Sequence, residues 1–332
     1  MKAFVDAVHS TGMKFILWYS VPFVGKHSKA WNRFKGKFLD SEENEYCVLD
    51  PRYNEVRDYL IDTYENAVKE WGIDGFKLDF IDSFRMTEFS NKYNSEMDTE
   101  QLEDAIEKLL SDVLKKLRDV NPDILIEFRQ NYTGPLMQTY GNMLRASDCP
   151  LDALTNRVKT LDLRMMSGCG VVHSDMLMWD KSGSTENAAR QITNVLFSVP
   201  QISVKLNDIP AEHMEMLKFY LSFCDRYRDV LLEGSLHVYQ PEMLYSMAYA
   251  QKGNRAVAVD FSGVVWNIES GIDEAVYVNA AQKDALYINA ENIDGTYDIL
   301  NCRGKIIEKG TLLRNTLKKF NVPVSGMIII RR

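Results

Sequence analysis

Trp71-Gly-Ile-Asp-Gly-Phe-Lys-Leu-Asp-Phe-Ile-Asp82 is the stretch whose reading decides the fold. From Gly75 to Phe80 it has the length and apolar content of a buried strand, with two charged residues, Lys77 and Asp79, set two apart. Side chains alternate across a strand, so Lys77 and Asp79 share one face while Phe76 and Leu78 share the other. The charged pair also sits at the C-terminal end of the run.

Working outward, the same organisation repeats. Apolar runs at Met13 to Tyr19, Asp123 to Phe128, Asn142 to Ala146, Val171 to Met178 and Gln201 to Leu206 read as further strands. Helix-length segments lie between them, with apolar residues at spacings of three and four: Val56, Tyr59, Leu60 and Tyr64 in one, Leu102, Ile106, Leu109, Leu110 and Val113 in another. Strand then helix, repeated, predicts a parallel sheet flanked by helices, either a closed barrel or an open doubly wound sheet. Asp79, Arg129, Asp148, Asp175 and Asn207 stand at or near the C-terminal ends of their runs, the ends that converge on one face in a barrel. Neither GxGxxG nor GxxxxGK[ST] is present, so the phosphate-cradling signatures of the open-sheet nucleotide folds are missing.

The expected class is therefore α/β, a (β/α)8-type TIM barrel over residues 1–232. It is incomplete by count, with about six strands to residue 206 where closure needs eight. After Glu233-Gly234 the segments Leu244 to Ala250, Arg255 to Phe261, Ala275 to Val278, Ala285 to Ile288, Gly295 to Leu300 and Gly326 to Ile330 are short and rich in β-branched and aromatic residues. They predict a small C-terminal antiparallel β-sandwich over 233–332, joined to the barrel by a helix from about Ala211 to Leu232.

Composition narrows the partners. Asp and Glu number 47 against 39 Lys and Arg, a formal charge of -8 that argues against nucleic acid. The five cysteines (Cys47, Cys149, Cys169, Cys224, Cys302) are scattered and read as reduced thiols. The first residues lack a signal-peptide pattern and no apolar run reaches membrane-spanning length, so a soluble, cytoplasmic protein is expected, with no membrane partner and homo-oligomerisation left open.

Chemistry gathers around carboxylates. A lysine beside Asp79 on an inward face favours the ionised carboxylate that a nucleophile needs; the alternative reading of the same pair is a structural ion pair inside the barrel. A second carboxylate closes Met143-Leu-Arg-Ala-Ser-Asp148, with Asp152 four residues beyond as its competitor. Two carboxylates on different strands are the minimum for glycoside hydrolysis, one attacking the anomeric carbon and the other protonating the leaving oxygen. Retention of configuration requires them roughly 5 to 5.5 Å apart. Arg145 is placed to bond a sugar hydroxyl or to hold a carboxylate. His173 and Asp175 share one side of their strand, and the five histidines show no metal-ligand spacing. Lys205 and Asn207 form one more two-apart polar pair.

Three segments carry a family likeness. Met13-Lys-Phe-Ile-Leu-Trp-Tyr-Ser-Val-Pro-Phe23, Val48-Leu-Asp-Pro-Arg-Tyr-Asn-Glu-Val-Arg-Asp-Tyr-Leu60 and Gly75-Phe-Lys-Leu-Asp-Phe80 resemble, in the same order, the barrel core of glycoside hydrolase family 36. Arg145-Ala-Ser-Asp148 is similar to the family's acid/base segment, and Phe219 to Gly234 to the helix entering its C-terminal β domain. The resemblance implies a retaining exo-acting α-glycosidase, an α-galactosidase, that needs no cofactor or metal and takes a small carbohydrate as partner. By the same resemblance Asp79 is the nucleophile, Asp148 the acid/base, Lys77 and Arg145 sugar ligands, and Trp18 a stacking platform or a core residue. Glu127-Phe-Arg-Gln-Asn131 stands where many members carry a cysteine- and glycine-rich loop, leaving Arg129 and Asn131, with His173 and Asp175, as further substrate contacts. The first strand resembles the family's third, so the chain reads as a fragment or a shortened relative. The alternative function is a catalytically silent remnant that binds carbohydrate.

Overall fold

The computed structural model describes residues 1–129, 131–168 and 170–332. The chain divides into two compact units, Met1–Leu144 and Arg145–Arg332. In the first, α1 (Lys2–His9) is followed by β1 (Ile16–Ser20), β2 (Phe23–Gly25), α2 (Lys29–Phe34), β3 (Tyr46–Val48) and α3 (Asn54–Trp71). Next come β4 (Gly75–Asp79), α4 (Leu102–Val120), β5 (Leu125–Arg129) and the short β6 (Met143–Arg145), inside which the units divide.

The helices form where their sequences bury one stripe. In α4 the buried residues are Leu102, Ala105, Leu109, Leu110, Val113, Leu114 and Leu117, a spacing of three and four. α3 buries Val56, Leu60, Tyr64 and Val68 and ends on Gly72, whose φ of 68° is the left-handed cap conformation that glycine adopts without cost. That turn feeds β4, where Gly75 has its own reason: a Cβ there would lie 2.1 Å from the Leu125 carbonyl oxygen of β5. Only glycine lets the two strands approach. Sheet order in this unit is β1-β4-β5-β6, with β1–β4 and β4–β5 parallel.

Register then stacks polar residues. Trp18 lies opposite Lys77, Ser20 opposite Asp79, and Lys77 opposite Glu127. One face of three neighbouring strands thus carries Trp18, Lys77, Asp79 and Glu127, while Leu17, Phe76, Leu78, Ile126 and Phe128 join the apolar core behind.

The second unit begins from β6 with α5 (Ala153–Met166), β7 (Val171–Leu177), α6 (Thr185–Thr193), β8 (Val199–Ile202), α7 (Ala211–Arg226) and α8 (Arg228–Glu233), and the strand order within it is β6-β7-β8. Strand–helix alternation thus runs through the chain on the strands β1, β4, β5, β6, β7 and β8. Two expectations need correcting. The strand at Gln201 ends at Ile202, because the Asp208 N–H bonds back to the Lys205 carbonyl and closes a turn; Lys205 and Asn207 are exposed there, not an inward-facing strand pair. The helix at 211–232 is two helices, broken at Tyr227 (φ -107°, ψ 17°), whose buried hydroxyl donates to Glu274 at 2.8 Å.

Ten strands follow: β9 (Ser235–Tyr239), β10 (Met247–Lys252), β11 (Arg255–Asp260), β12 (Val265–Asn267), β13 (Glu274–Asn279), β14 (Leu286–Asn289), β15 (Gly295–Leu300), β16 (Ile306–Leu312), β17 (Leu317–Phe320) and β18 (Met327–Arg331). They form a seven-stranded sheet, β16-β15-β18-β13-β11-β10-β9, and a three-stranded one, β12-β14-β17. Not every pair is antiparallel: β11–β13 and β12–β14 are parallel, because β12 leaves the larger sheet for the smaller and the chain returns in the same direction. One face of the larger sheet packs Ala258, Tyr277 and Ile328 with Trp266, Leu286 and Phe320 of the smaller. The other packs Val257, Val259 and Val276 with Tyr220, Phe223 and Val230 of the helices. Burial on both faces explains why β10, β11 and β13 read as continuous apolar runs rather than alternating ones.

Candidate active site

Asp79 ends β4, and the chain turns immediately: Phe80 has φ 64° and ψ 26°, a left-handed conformation that a bulky residue adopts only when its surroundings hold it. Here the Phe80 ring packs against Phe23 and Trp18, with the Arg129 guanidinium 5.2 Å from its centroid. The turn aims the Phe80 N–H back at Asp79 Oδ1, 2.8 Å away. The same oxygen accepts from Arg129 Nε at 2.5 Å and from the Tyr132 hydroxyl at 3.2 Å. Asp79 Oδ2 accepts from Trp18 Nε1 at 2.9 Å, with Lys77 Nζ 3.8 Å away.

Asp79 is only 5% exposed. Burial alone would raise its pKa, but hydrogen bonds from Trp18, Arg129 and the Phe80 N–H outweigh it and hold the carboxyl below the usual carboxylate range. The result is an ionised carboxylate at a parallel strand's C-terminal end. Tyr132 is pushed the other way, by burial and by the neighbouring Asp79 charge, so its hydroxyl stays protonated and donates.

In the second unit the centre is Arg145, 2% exposed. Its Nη1 and Nη2 each lie 3.0 Å from Asp148 Oδ1, Nη2 also bonds Asp175 Oδ1, and Nε donates to Gln201 at 3.2 Å. Asp175 is fully buried and accepts the Cys149 N–H with its other oxygen. Asp148 differs: its side chain is 61% exposed, held on one oxygen and open to solvent on the rest. A register shift between His173 and Met176 interrupts β7, sending Asp175 to Arg145 while His173 Nδ1 meets Gln201 Nε2 at 3.2 Å. Asp152, the competitor of Asp148, caps α5, accepting from the Thr155 N–H at 3.0 Å and the Thr155 hydroxyl at 2.6 Å.

The residues singled out in the sequence therefore fall into two groups. Trp18, Lys77, Asp79 and Arg129 come together in the first unit; Arg145, Asp148 and Asp175 in the second. Arg129 and Arg145, read as sugar ligands, both hold carboxylates, and Trp18, read as a platform, is 51% exposed with its indole N–H on Asp79. Asn131 lies in an exposed turn after β5. Gln130 and Cys169 lie outside the described residues. Sequence reasoning missed Tyr132 and Gln201, although an aromatic three residues past Arg129 at a strand end was a usable signal. Cys47, Cys149, Cys224 and Cys302 are free thiols, Cys149 pushed up to about 12 by burial and by Asp175. Among the described residues no cluster of His, Cys, Asp and Glu could hold a metal, and no helix is long and apolar enough to cross a membrane.

No family model matches the chain, and no curated protein matches it. Solved structures do. The GH36 α-galactosidase AgaA from Geobacillus stearothermophilus aligns at a TM-score of 0.66 and 15% identity, over 99% of this chain and 46% of that one. The α-galactosidase from Lactobacillus brevis aligns at 0.68 and 16%, over 100% and 46%. The fold is like that of the GH36 α-galactosidases. This GH36-like chain spans 46% of the length of those enzymes. An α-amylase from Anoxybacillus shares the likeness at a TM-score of 0.63 and 12% identity, over 99% of this chain and 78% of that one. The likeness is one of fold, common to enzymes named for different sugars.

Proposed function

We propose that the chain carries the catalytic apparatus of a retaining, exo-acting α-glycosidase of the α-galactosidase type, acting through a covalent glycosyl-enzyme. In this reading residues 1–232 belong to a (β/α)8-type barrel and 233–332 to a C-terminal β-sandwich. Asp79 attacks the anomeric carbon, and Asp148 protonates the leaving oxygen and then takes a proton from water. Lys77, Trp18, Asn131 and His173 face the sugar, while Arg145 orients Asp148 and Asp175 neutralises Arg145.

The observation that carries this reading is the state of Asp79. It is a buried carboxylate kept ionised by converging donors at a parallel strand end, beside an exposed indole. A nucleophile needs that charge, and a pyranose needs an apolar face to lie on. Asp148 complements it by exposure: a residue that gives and takes protons must reach both leaving group and water.

The test is hydrolysis of an aryl α-galactoside and an aryl α-glucoside by the purified chain, with the product anomer followed by NMR. Release of the α-anomer first from the galactoside supports the reading, whereas β-anomer first excludes retention. A second reading, carbohydrate binding without turnover, has one observation in its favour: the chain spans 46% of the α-galactosidases it resembles. Calorimetric titration with galactose in the absence of turnover selects it.

A further inference from the structure

The two oxygens of Asp79 are held unequally. Three donors converge on Oδ1: Arg129 Nε at 2.5 Å, the Phe80 N–H at 2.8 Å and the Tyr132 hydroxyl at 3.2 Å. Among the described residues Oδ2 takes one hydrogen bond, from Trp18, with the Lys77 ammonium 3.8 Å away. A carboxylate oxygen offers about two lone-pair sites. Arg129 and the Phe80 N–H by themselves fill both sites of Oδ1, and Tyr132 adds a shared proton, so none is left for a carbon electrophile; among the described residues Oδ2 keeps one free.

The anchors also differ in mobility. The Phe80 N–H is held in place by its left-handed turn, and the single Tyr132 proton is shared between Oδ1 and the Leu78 carbonyl at 3.1 Å. Trp18 is half exposed, its ring packed edge-on to Phe80 and its indole N–H on Oδ2. We propose that Oδ2 is the attacking oxygen of Asp79, that Oδ1 is the anchored one, and that Tyr132 is a positioning residue holding Oδ1 through both chemical steps. This rests on the reading of Asp79 as nucleophile.

In the first step a lone pair on Oδ2 forms the bond to the anomeric carbon. The bond to the leaving oxygen breaks, and its electron pair stays on that oxygen, which takes the proton of the general acid. In the second, water bonds the anomeric carbon and gives its proton to the same group, while the Oδ2–carbon pair returns to Asp79. Negative charge then reappears on Oδ1, where the three donors wait. Those donors stabilise a departing carboxylate more than an attacking one, which already has them.

Tyr132→Phe is therefore expected to slow the second step selectively. With an activated aryl α-galactoside kcat falls about tenfold, the usual weight of one hydrogen bond to a charged group. KM falls with it, kcat/KM holds, and a burst of released phenol appears. A structural role would instead lower kcat/KM with KM unchanged and no burst, and that result overturns the proposal. Kinetics identical to the unmutated chain also overturn it, while leaving Asp79 as nucleophile intact. If the unmutated chain neither turns over the galactoside nor is labelled at Asp79 by a galactose-configured epoxide, the nucleophile reading falls and takes this one with it.

Discussion

Asp79 and Asp175 are both buried carboxylates bonded by an arginine near the end of a parallel strand, yet they are built for different work. Asp175 is fully enclosed, with one oxygen on Arg145 and the other on the Cys149 N–H, and its arginine is shared with Asp148 and Gln201. Its burial leaves no surface for a ligand to reach. Asp79 keeps an under-occupied oxygen beside a half-exposed indole. A buried ion pair is thus no signature of a catalytic centre. What separates the two is access: Asp175 is fully enclosed, whereas Asp79 opens beside the half-exposed Trp18 indole.

The sharpest way to break that contrast is Asp79→Ala. It is expected to abolish turnover with the fold intact, and azide should restore part of it by taking the place of the missing carboxylate. Retained activity in this variant would place Asp79 with Asp175 as a structural group. Asp148→Ala is expected to slow substrates with poor leaving groups by about 10²–10⁴-fold and activated aryl glycosides far less. Asp152→Ala should show no such selectivity, because its carboxylate caps α5; its cost is about 1 kcal/mol of stability in a urea titration. Reversed behaviour of the two variants would move the acid/base role four residues along.

Arg145 sharpens the contrast from the structural side. Arg145→Met leaves Asp175 buried and charged without its partner, which costs about 3–5 kcal/mol. Urea denaturation should show that loss, whereas Arg129→Met, beside a carboxylate that keeps its Trp18, Phe80 and Tyr132 donors, should lose clearly less. Equal losses would mean that the Asp79 cluster is as structural as the other.

Much of this was legible in the sequence because strand alternation is rigid. Two charges spaced by one residue must share a face, so the sequence alone puts Lys77 and Asp79 together, and the register adds Trp18 from β1. The order of strands and helices and the change of character after Gly234 are equally readable. What periodicity cannot carry is a break in itself. The register shift in β7 sends Asp175 to Arg145, the left-handed turn at Phe80 swings a backbone donor onto Asp79, and the break at Tyr227 depends on a bond to Glu274 from a distant strand. Tyr132 is brought to Asp79 by a loop that folds back, of which the sequence shows only an aromatic three residues past the strand end.

The smallest expected effect concerns the one donor on Oδ2. Burial pushes the Asp79 carboxyl up, and the bonds from Trp18, Arg129 and Phe80 bring it below its ordinary range. Trp18→Phe removes one of those bonds and leaves burial in place, so the native pKa must rise and the acid limb of kcat/KM must move to higher pH. The sign carries into stability. A carboxyl with a depressed native pKa contributes stability above its unfolded value, about 3.9, and loses it as pH falls through the native value. Removing the indole N–H shrinks that contribution. Urea midpoints of the variant and the unmutated chain should therefore differ more at pH 7 than at a pH low enough to protonate the carboxyl in both. An acid limb that stays put would mean that the indole N–H does not bear on Asp79 in solution, and the difference drawn between its two oxygens would lose its most mobile term.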